Sequence, residues 1–344
     1  MIQRVKLYDS LKGLMIFFVI LGHLALFSYK ATPLPMLVRI VTTFHVGVFM
    51  CISGYFFKVS EESTYSEIGL SVLKKAIYLL IPTVFFYVLY SSTQGINSLT
   101  FLSDGFGFYW FLPALFFCFL TVSILIVIVK FLKINKYIKG GDVFLLIMAI
   151  MVSLICLKGI ELPMPGFVEQ GYLNLYFPIF CIGYLARRNK ELVNKVIRNN
   201  VATTIAISLL FVLYLYRFLG LKEHFPQLID GLIEYSKLFL WVFVCISCVL
   251  YYRKFFDGNS RLNNFLALVG KYTLPIYVLH YFFLPDLTWL KNYLGDNNSI
   301  ILIMVLTIIA VAIIYLCLLI TKVVSRSDFL GHYLLGQKSG RFKI

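Results

Sequence analysis

Apolar stretches long enough to cross a bilayer recur along this whole chain, and that repetition leaves few folds open. Ten can be placed, at 13–29, 38–57, 75–93, 109–131, 142–158, 172–187, 201–219, 236–252, 272–290 and 299–323. A spanning helix needs about 20 mostly apolar residues, because lipid offers no partner to an open backbone group. The strands of a membrane barrel would alternate in polarity instead. Composition agrees: 60% of residues are hydrophobic and 14% charged, where soluble domains are roughly half apolar and a quarter charged. The chain reads as an all-α integral membrane protein of about ten transmembrane helices. Its first stretch is too long for a signal peptide, and no small-residue cleavage site follows. No appended soluble domain is expected at either end, so residues 1–344 read as a single transmembrane domain.

Basic residues test the count. Assigned to alternate sides of ten spans, Lys and Arg divide 24 to 7, together the 31 in the chain. The rich side holds Lys12, Lys58, Lys74, Lys75, the run from Lys130 to Lys139, Arg187, Arg188 and the cluster from Lys322 to Lys343. A miscounted span would scramble this asymmetry, and cytoplasmic loops are the basic ones, so both termini are placed in the cytoplasm. The net charge of +15 is then a topology signal beside anionic lipid, and nucleic acid is not expected as a partner. The seven cysteines are scattered, without Cys-x-x-Cys or Cys/His metal spacing, and read as small core residues.

Polar residues inside the spans carry the functional signal. Asp9, Lys12 and His23 share one stripe of the first helix. Eleven residues separate Lys12 from His23, close to three turns and roughly 16 Å of rise. A histidine that deep is costly and needs a reason. His45 and His280 fall at similar depth on the second and ninth spans, so three of the five histidines lie in the outer half of three helices. Each alone reads as a structural histidine bonded to a carbonyl or a tyrosine. Three at one depth point to a shared polar site. Neither His-x-x-x-His nor Glu-x-x-His spacing occurs, so no metal is expected there. Ser53-Gly54 can bend the second helix or admit a close neighbour, and Pro82 interrupts the third. Tyr109-Trp110-Phe111 reads either as an aromatic belt anchor or as a stacking platform for a sugar ring.

Taken in order, these segments resemble a known family. Asp9-x-x-Lys12-Gly with Gly22-His23, Phe44-His45-Val with Ser53-Gly54-Tyr55-Phe56, Leu80-Ile-Pro82, Tyr109-Trp110-Phe111-Leu112, Phe180-x-x-Gly183-Tyr184 and Thr273-Leu-Pro-Ile276-Tyr277-x-x-His280 look like the ordered signatures of the membrane-bound acyltransferase-3 family. Each is weak alone; six in order are specific. Members are ten-helix proteins that transfer an acyl group, usually acetyl from cytoplasmic acetyl-CoA, to hydroxyls of surface carbohydrates. The resemblance implies that His23 is required for transfer, supported by Asp9 and Lys12. It implies a short acyl-CoA as donor substrate and no permanently bound cofactor. The acceptor implied is a surface glycan or lipid-linked sugar, and the site a multi-pass protein of a bacterial plasma membrane. Where many members carry Arg-x-x-Arg before the third-helix proline, this chain has Lys75 and Tyr78, a point charge in place of a bidentate fork.

The chemistry fits. Lys12, Lys74 and Lys75 would hold the CoA phosphates at the cytoplasmic mouth, with the acyl arm running along the first helix to His23. The imidazole would take the acceptor proton or itself become acylated. The acceptor would enter from outside near His45, Tyr109, Trp110, Tyr277 and His280. A fused extracellular hydrolase-like domain completes transfer in some members. None is seen here, so direct acylation or a separate partner is expected. The competing reading is a transporter or flippase of a lipid-linked glycan, with the histidines as a proton relay. Thiol accessibility separates the two. In a background without native cysteines, a cysteine beside Lys12 should be shielded by CoA from impermeant reagents on the cytoplasmic side. One beside Trp110 should react from outside, indifferent to CoA. Alternating access near His23 without CoA protection would establish the transporter.

Overall fold

A computed structural model of the protein describes residues 6–32, 34–60, 62–133, 141–142, 144–145, 147–149, 151, 170–197, 199–218, 227–251, 260–294 and 300–337. Every regular element among them is helical. Apart from shorter turns, the helices in chain order are α1 (Lys6–His23), α2 (Met36–Tyr55), α3 (Tyr65–Thr93), α4 (Phe111–Phe131), α5 (Gln170–Arg188), α6 (Lys190–Ile197), α7 (Asn200–Phe218), α8 (Gln227–Tyr251), α9 (Arg261–Lys271), α10 (Thr273–Leu279), α11 (Ile300–Val324) and α12 (Asp328–Tyr333). Among the described residues, five helical stretches are long and apolar enough to span a membrane: Lys6–Ser28, Met36–Tyr55, Tyr65–Thr93, Phe111–Phe131 and Ile300–Val324. The number is seven if two bent pairs, Lys190–Val196 with Asn200–Leu215 and Arg261–Lys271 with Thr273–Phe283, each count as one. The protein is a multi-pass membrane protein. Most of the expected span 142–158 lies outside the described residues.

One expected span is corrected. Residues 272–290 do not form a continuous helix. Only Thr273–Leu279 is α-helical, followed by a 3₁₀ turn at His280–Phe283, and α9 meets this segment at a bend of 70°. Pro275 gives the physical reason. It has no N–H for the carbonyl four residues back, and its ring clashes with that carbonyl. The carbonyl belongs to Lys271, the last residue of α9. Within α10 the same proline sits in the first turn, where the missing N–H costs nothing.

The contacts divide the chain into two compact units, residues 1–49 with 248–344, and residues 50–247. In the first, α1 packs on α9 at backbone distance. A Cβ built on Gly13 would lie 2.0 Å from the Leu266 carbonyl oxygen, and one on Gly270 would lie 1.6 Å from that of Asp9. Small residues are how membrane helices approach this closely without hydrophobic drive between them. Polar side chains pin the crossing: Ser10 Oγ donates to Asn263 Oδ1 at 2.5 Å and Lys6 Nζ to Asn264 Oδ1 at 2.6 Å. Asn263 is fully buried. The apolar core beside it includes Met15, Ile16 and Ile20 of α1, Ile276 and Val278 of α10, and Leu302, Leu306 and Ala310 of α11.

In the second unit α3 starts from a capping box, Thr64 and Glu67 bonding each other's backbone N–H, which satisfies two orphan donors. Its Ile81, Val84, Phe85, Val88 and Leu89 are exposed, as suits a lipid-facing helix. The end of α2 crosses α5 through a second glycine pair. A Cβ on Gly54 would meet the Phe180 carbonyl at 2.0 Å, and one on Gly183 the Cys51 carbonyl at 2.0 Å. The Ser53-Gly54 step thus admits a close neighbour. Phe57, Phe119, Phe180 and Tyr184 form an aromatic cluster beside it.

The α1–α9 crossing predicts an asymmetry among glycine substitutions. Gly13→Ala and Gly270→Ala should each lower stability by about 1–3 kcal/mol through overpacking. Gly69→Ala, where a Cβ meets nothing within 4 Å, should be neutral or stabilising by roughly 0.5–1 kcal/mol. Thermal unfolding in one detergent compares the three. Equal melting temperatures would refute the close crossing.

Candidate active site

His23 is the last residue of α1, and the helix changes character immediately after it. Leu24–Ser28 is π-helical, with Tyr29 N–H bonded to the Leu24 carbonyl at 2.8 Å. Such insertions widen a helix by one residue per turn and occur at functional sites. The ring of His23 is half-buried. Phe27 stands 5.3 Å away and Tyr281 5.2 Å away, centroid to centroid.

The defining contact is with the broken helix. His23 Nδ1 and His280 Nε2 are 2.9 Å apart. Their planes differ by 12° and their centroids are 5.2 Å apart. That separation is the nitrogen–nitrogen distance plus the two ring radii, so the rings meet edge to edge in one plane, the geometry of a hydrogen bond between ring nitrogens. The His280 side chain is fully buried. Its Nδ1 lies 2.8 Å from the Tyr277 carbonyl and 3.1 Å from that of Ile276. His280 therefore spans from its own short helix to His23, with Tyr281 packed 3.9 Å from it.

Outside the broken helix, the chain is tied back to the end of α1. Leu287 N–H bonds the Ser28 carbonyl at 3.0 Å, and Lys291 Nζ bonds the Lys30 carbonyl at 2.8 Å. Asp286 makes a local turn here, accepting from Thr288 N–H at 2.9 Å. These bonds to Thr288 hold its carboxyl below the usual carboxylate range.

The first unit holds six of the residues singled out in the sequence, and the structure joins them unequally. His23, His280 and Tyr277 come together, the Tyr277 ring being 6.1 Å from that of His280. His45 is buried, and its Nδ1 donates to the Val41 carbonyl at 2.9 Å. Asp9 and Lys12 form an ion pair of 2.9 Å one turn apart on α1. Asp9 is largely buried against α9, and Lys12 is partly open.

The remaining four belong to the second unit. Lys75 Nζ lies 4.1 Å above the Phe119 ring, a cation–π contact that partly replaces its hydration. Lys74 is half-buried. Tyr109 is wholly buried. Trp110 stacks nearly parallel on Tyr176, at 5.8 Å and 17°, so a protein ring covers one face of that platform. Among the described residues, no group of three or more His, Cys, Asp or Glu side chains is placed to hold a metal ion.

Sequence reasoning did not single out Phe27 and Tyr281, the rings flanking His23. Tyr281 had a signal, since it directly follows His280. The π-helix had none, because Leu24-Ala-Leu-Phe-Ser reads as ordinary apolar helix.

Fold and site together define a helical, multi-pass membrane protein with a hydrogen-bonded imidazole pair. The comparison with known families is specific: the acyltransferase-3 family, described as an acyltransferase domain, matches residues 6–322. The chain belongs to that family. The match runs from before Asp9 to beyond His280 and contains all ten residues discussed. Nodulation protein NolL of Sinorhizobium fredii (strain NBRC 101917 / NGR234) is 28% identical over 208 residues, covering 56% of this chain and 51% of that protein. The chain thus spans about half the length of the curated relative it matches. No solved structure matches it.

Proposed function

We propose that the protein is a membrane O-acyltransferase. It moves a short acyl group, acetyl in the first instance, from cytoplasmic acyl-CoA to a hydroxyl of a cell-surface or lipid-linked carbohydrate. The observation that carries this reading is the His23–His280 pair inside a chain of the acyltransferase-3 family. A half-buried imidazole with one nitrogen engaged by a neighbour is the arrangement a general base needs. The ten-helix layout with cytoplasmic termini, supported by the 24-to-7 division of basic residues, puts donor and acceptor on opposite sides of the membrane. Lys12 then stands on the donor side, roughly 16 Å of helix rise from the reacting imidazole.

In this mechanism the acceptor hydroxyl attacks the thioester carbonyl while His23 takes its proton. The tetrahedral adduct collapses with cleavage of the carbon–sulfur bond. The proton passes from His23 to the departing CoA sulfur, which leaves the imidazole neutral and the acyl group on oxygen. Lys12, Lys74 and Lys75 supply positive charge for the CoA phosphates, and Asp9 holds Lys12 until they arrive. His45, Tyr109, Trp110 and Tyr277 are the residues proposed for the acceptor side.

Two experiments test the assignment. His23→Ala should lower acyl transfer from radiolabelled acetyl-CoA by at least about 10²-fold with unchanged expression. Retention of more than a tenth of the activity would remove His23 from the chemistry. Lys12→Ala should raise KM for acyl-CoA more than it lowers kcat, because a phosphate contact is made equally in ground and transition states. Lys12→Arg should stay nearer to wild type. Unchanged acetyl-CoA affinity by calorimetry in Lys12→Ala would exclude that lysine from the donor site.

A further inference from the structure

We infer that His280 is a positioning residue that fixes His23 in a single tautomer, with its Nδ1 protonated and its Nε2 lone pair open. The argument follows the hydrogen bonds inward from the backbone. The carbonyls of Ile276 and Tyr277 are acceptors only, so His280 Nδ1, 3.1 Å and 2.8 Å from them, must carry a proton. In the neutral ring the other nitrogen, Nε2, is then a lone-pair acceptor. It faces His23 Nδ1 at 2.9 Å, so His23 Nδ1 must donate. The neutral His23 therefore carries its lone pair on Nε2, which has no hydrogen-bond partner among the described residues. Two backbone carbonyls thus choose, through one intervening ring, which nitrogen of His23 is basic.

The role resembles that of the carboxylate in a Ser-His-Asp triad, which orients the imidazole and sets its tautomer. Here the orienting atom is a neutral nitrogen held by carbonyls. It directs His23 without balancing the positive charge that develops when Nε2 takes a proton. During transfer the acceptor oxygen bonds to the acyl carbon and its proton moves to His23 Nε2. The His23 Nδ1–H keeps donating to His280 Nε2 throughout. Breaking the carbon–sulfur bond returns the Nε2 proton to the CoA sulfur. This differs from the acceptor contact that the sequence suggested for His280. Its buried position and its engagement on both nitrogens leave no edge for a sugar.

The catalytic consequence rests on the acyltransferase reading; the direction of the hydrogen bonds does not. The test is therefore made first without turnover. The full chain, ¹⁵N-labelled at histidine and reconstituted in lipid nanodiscs, is measured by solid-state NMR, with His23→Gln and His280→Gln spectra to assign the rings. The expected spectrum shows a protonated Nδ1 and an unprotonated Nε2 on both His23 and His280. An unprotonated Nδ1 on His23, or a doubly protonated His280, overturns the proposal even if the protein proves an active acyltransferase. Kinetics form the second arm. His280→Ala should lower kcat by about tenfold to a hundredfold, below the ~10⁴ lost when a triad loses its orienting carboxylate function. Its KM for acetyl-CoA should move less than about twofold. His280→Gln, whose side-chain oxygen can still accept from His23 Nδ1, should recover part of the loss. Equal loss in Gln and Ala variants, or a shift confined to KM, overturns the positioning role. Should wild-type protein show no transfer, the functional reading falls while the spectrum still decides the tautomer. Should a variant fail to fold, the two rings are assigned in wild type by the nitrogen–nitrogen coupling across the hydrogen bond between them.

Discussion

The contact of α1 with α9 at backbone distance is the constraint on which the site depends. Gly13 and Gly270 remove the side chains that would hold the helices apart, and the Ser10–Asn263 bond fixes their register. Immediately beyond Gly270 the chain reaches the break at Tyr272 and turns into α10. Fixing the end of α9 against the early turns of α1 therefore fixes where α10 begins. Seven residues later His280 reaches the far end of α1. A shift of either helix along the other would separate the two imidazoles. In lipid this crossing has no hydrophobic drive behind it, so shape and the buried polar bonds must hold it.

Much of this was legible in the sequence. The apolar stretches located α2, α4 and α11 within two residues at each end, because hydrocarbon thickness imposes a length that local propensity cannot hide, whereas α1 and α3 begin seven and ten residues before the expected spans, in polar turns that hydropathy does not count. His23, His45 and His280 stood out because polar groups are rare in such stretches. The pairing of His23 with His280 was legible only as similar depth; which imidazoles would bond depended on helix rotation, which apolarity around the whole helix does not encode. The break at Pro275 was misjudged for a different reason. Its flanking residues are as apolar as the rest, so hydropathy runs smoothly through a position that sterics forbid to continue. Gly13 and Gly270 gave no signal either, since a glycine in an apolar run looks the same whether or not a neighbouring backbone touches it.

The basic residues divide by environment. Lys12 answers to a carboxylate and Lys75 to an aromatic face, and the two solutions suit different partners. A flexible, partly open lysine held by one buried carboxylate can turn its ammonium to a phosphate of greater charge. A cation over a ring keeps its charge available on the side away from the ring while its stem stays packed. A lysine can do this where an arginine fork would demand planar partners. Lys75 thus sits in a setting that accommodates a point charge.

The π-helical turn after His23 has a consequence for the whole first span. A π segment takes more residues per turn than the α-helix around it, so the faces of α1 before and after it are out of phase. Residues before His23 face α9 through Gly13, while residues after it answer to a different neighbour, the outer chain at Leu287. An uninterrupted α-helix would present a different face at Ser28. The extra residue works as a swivel built into the backbone. It lets a single rod satisfy two packing surfaces, and His23 stands at the point where the two phases meet.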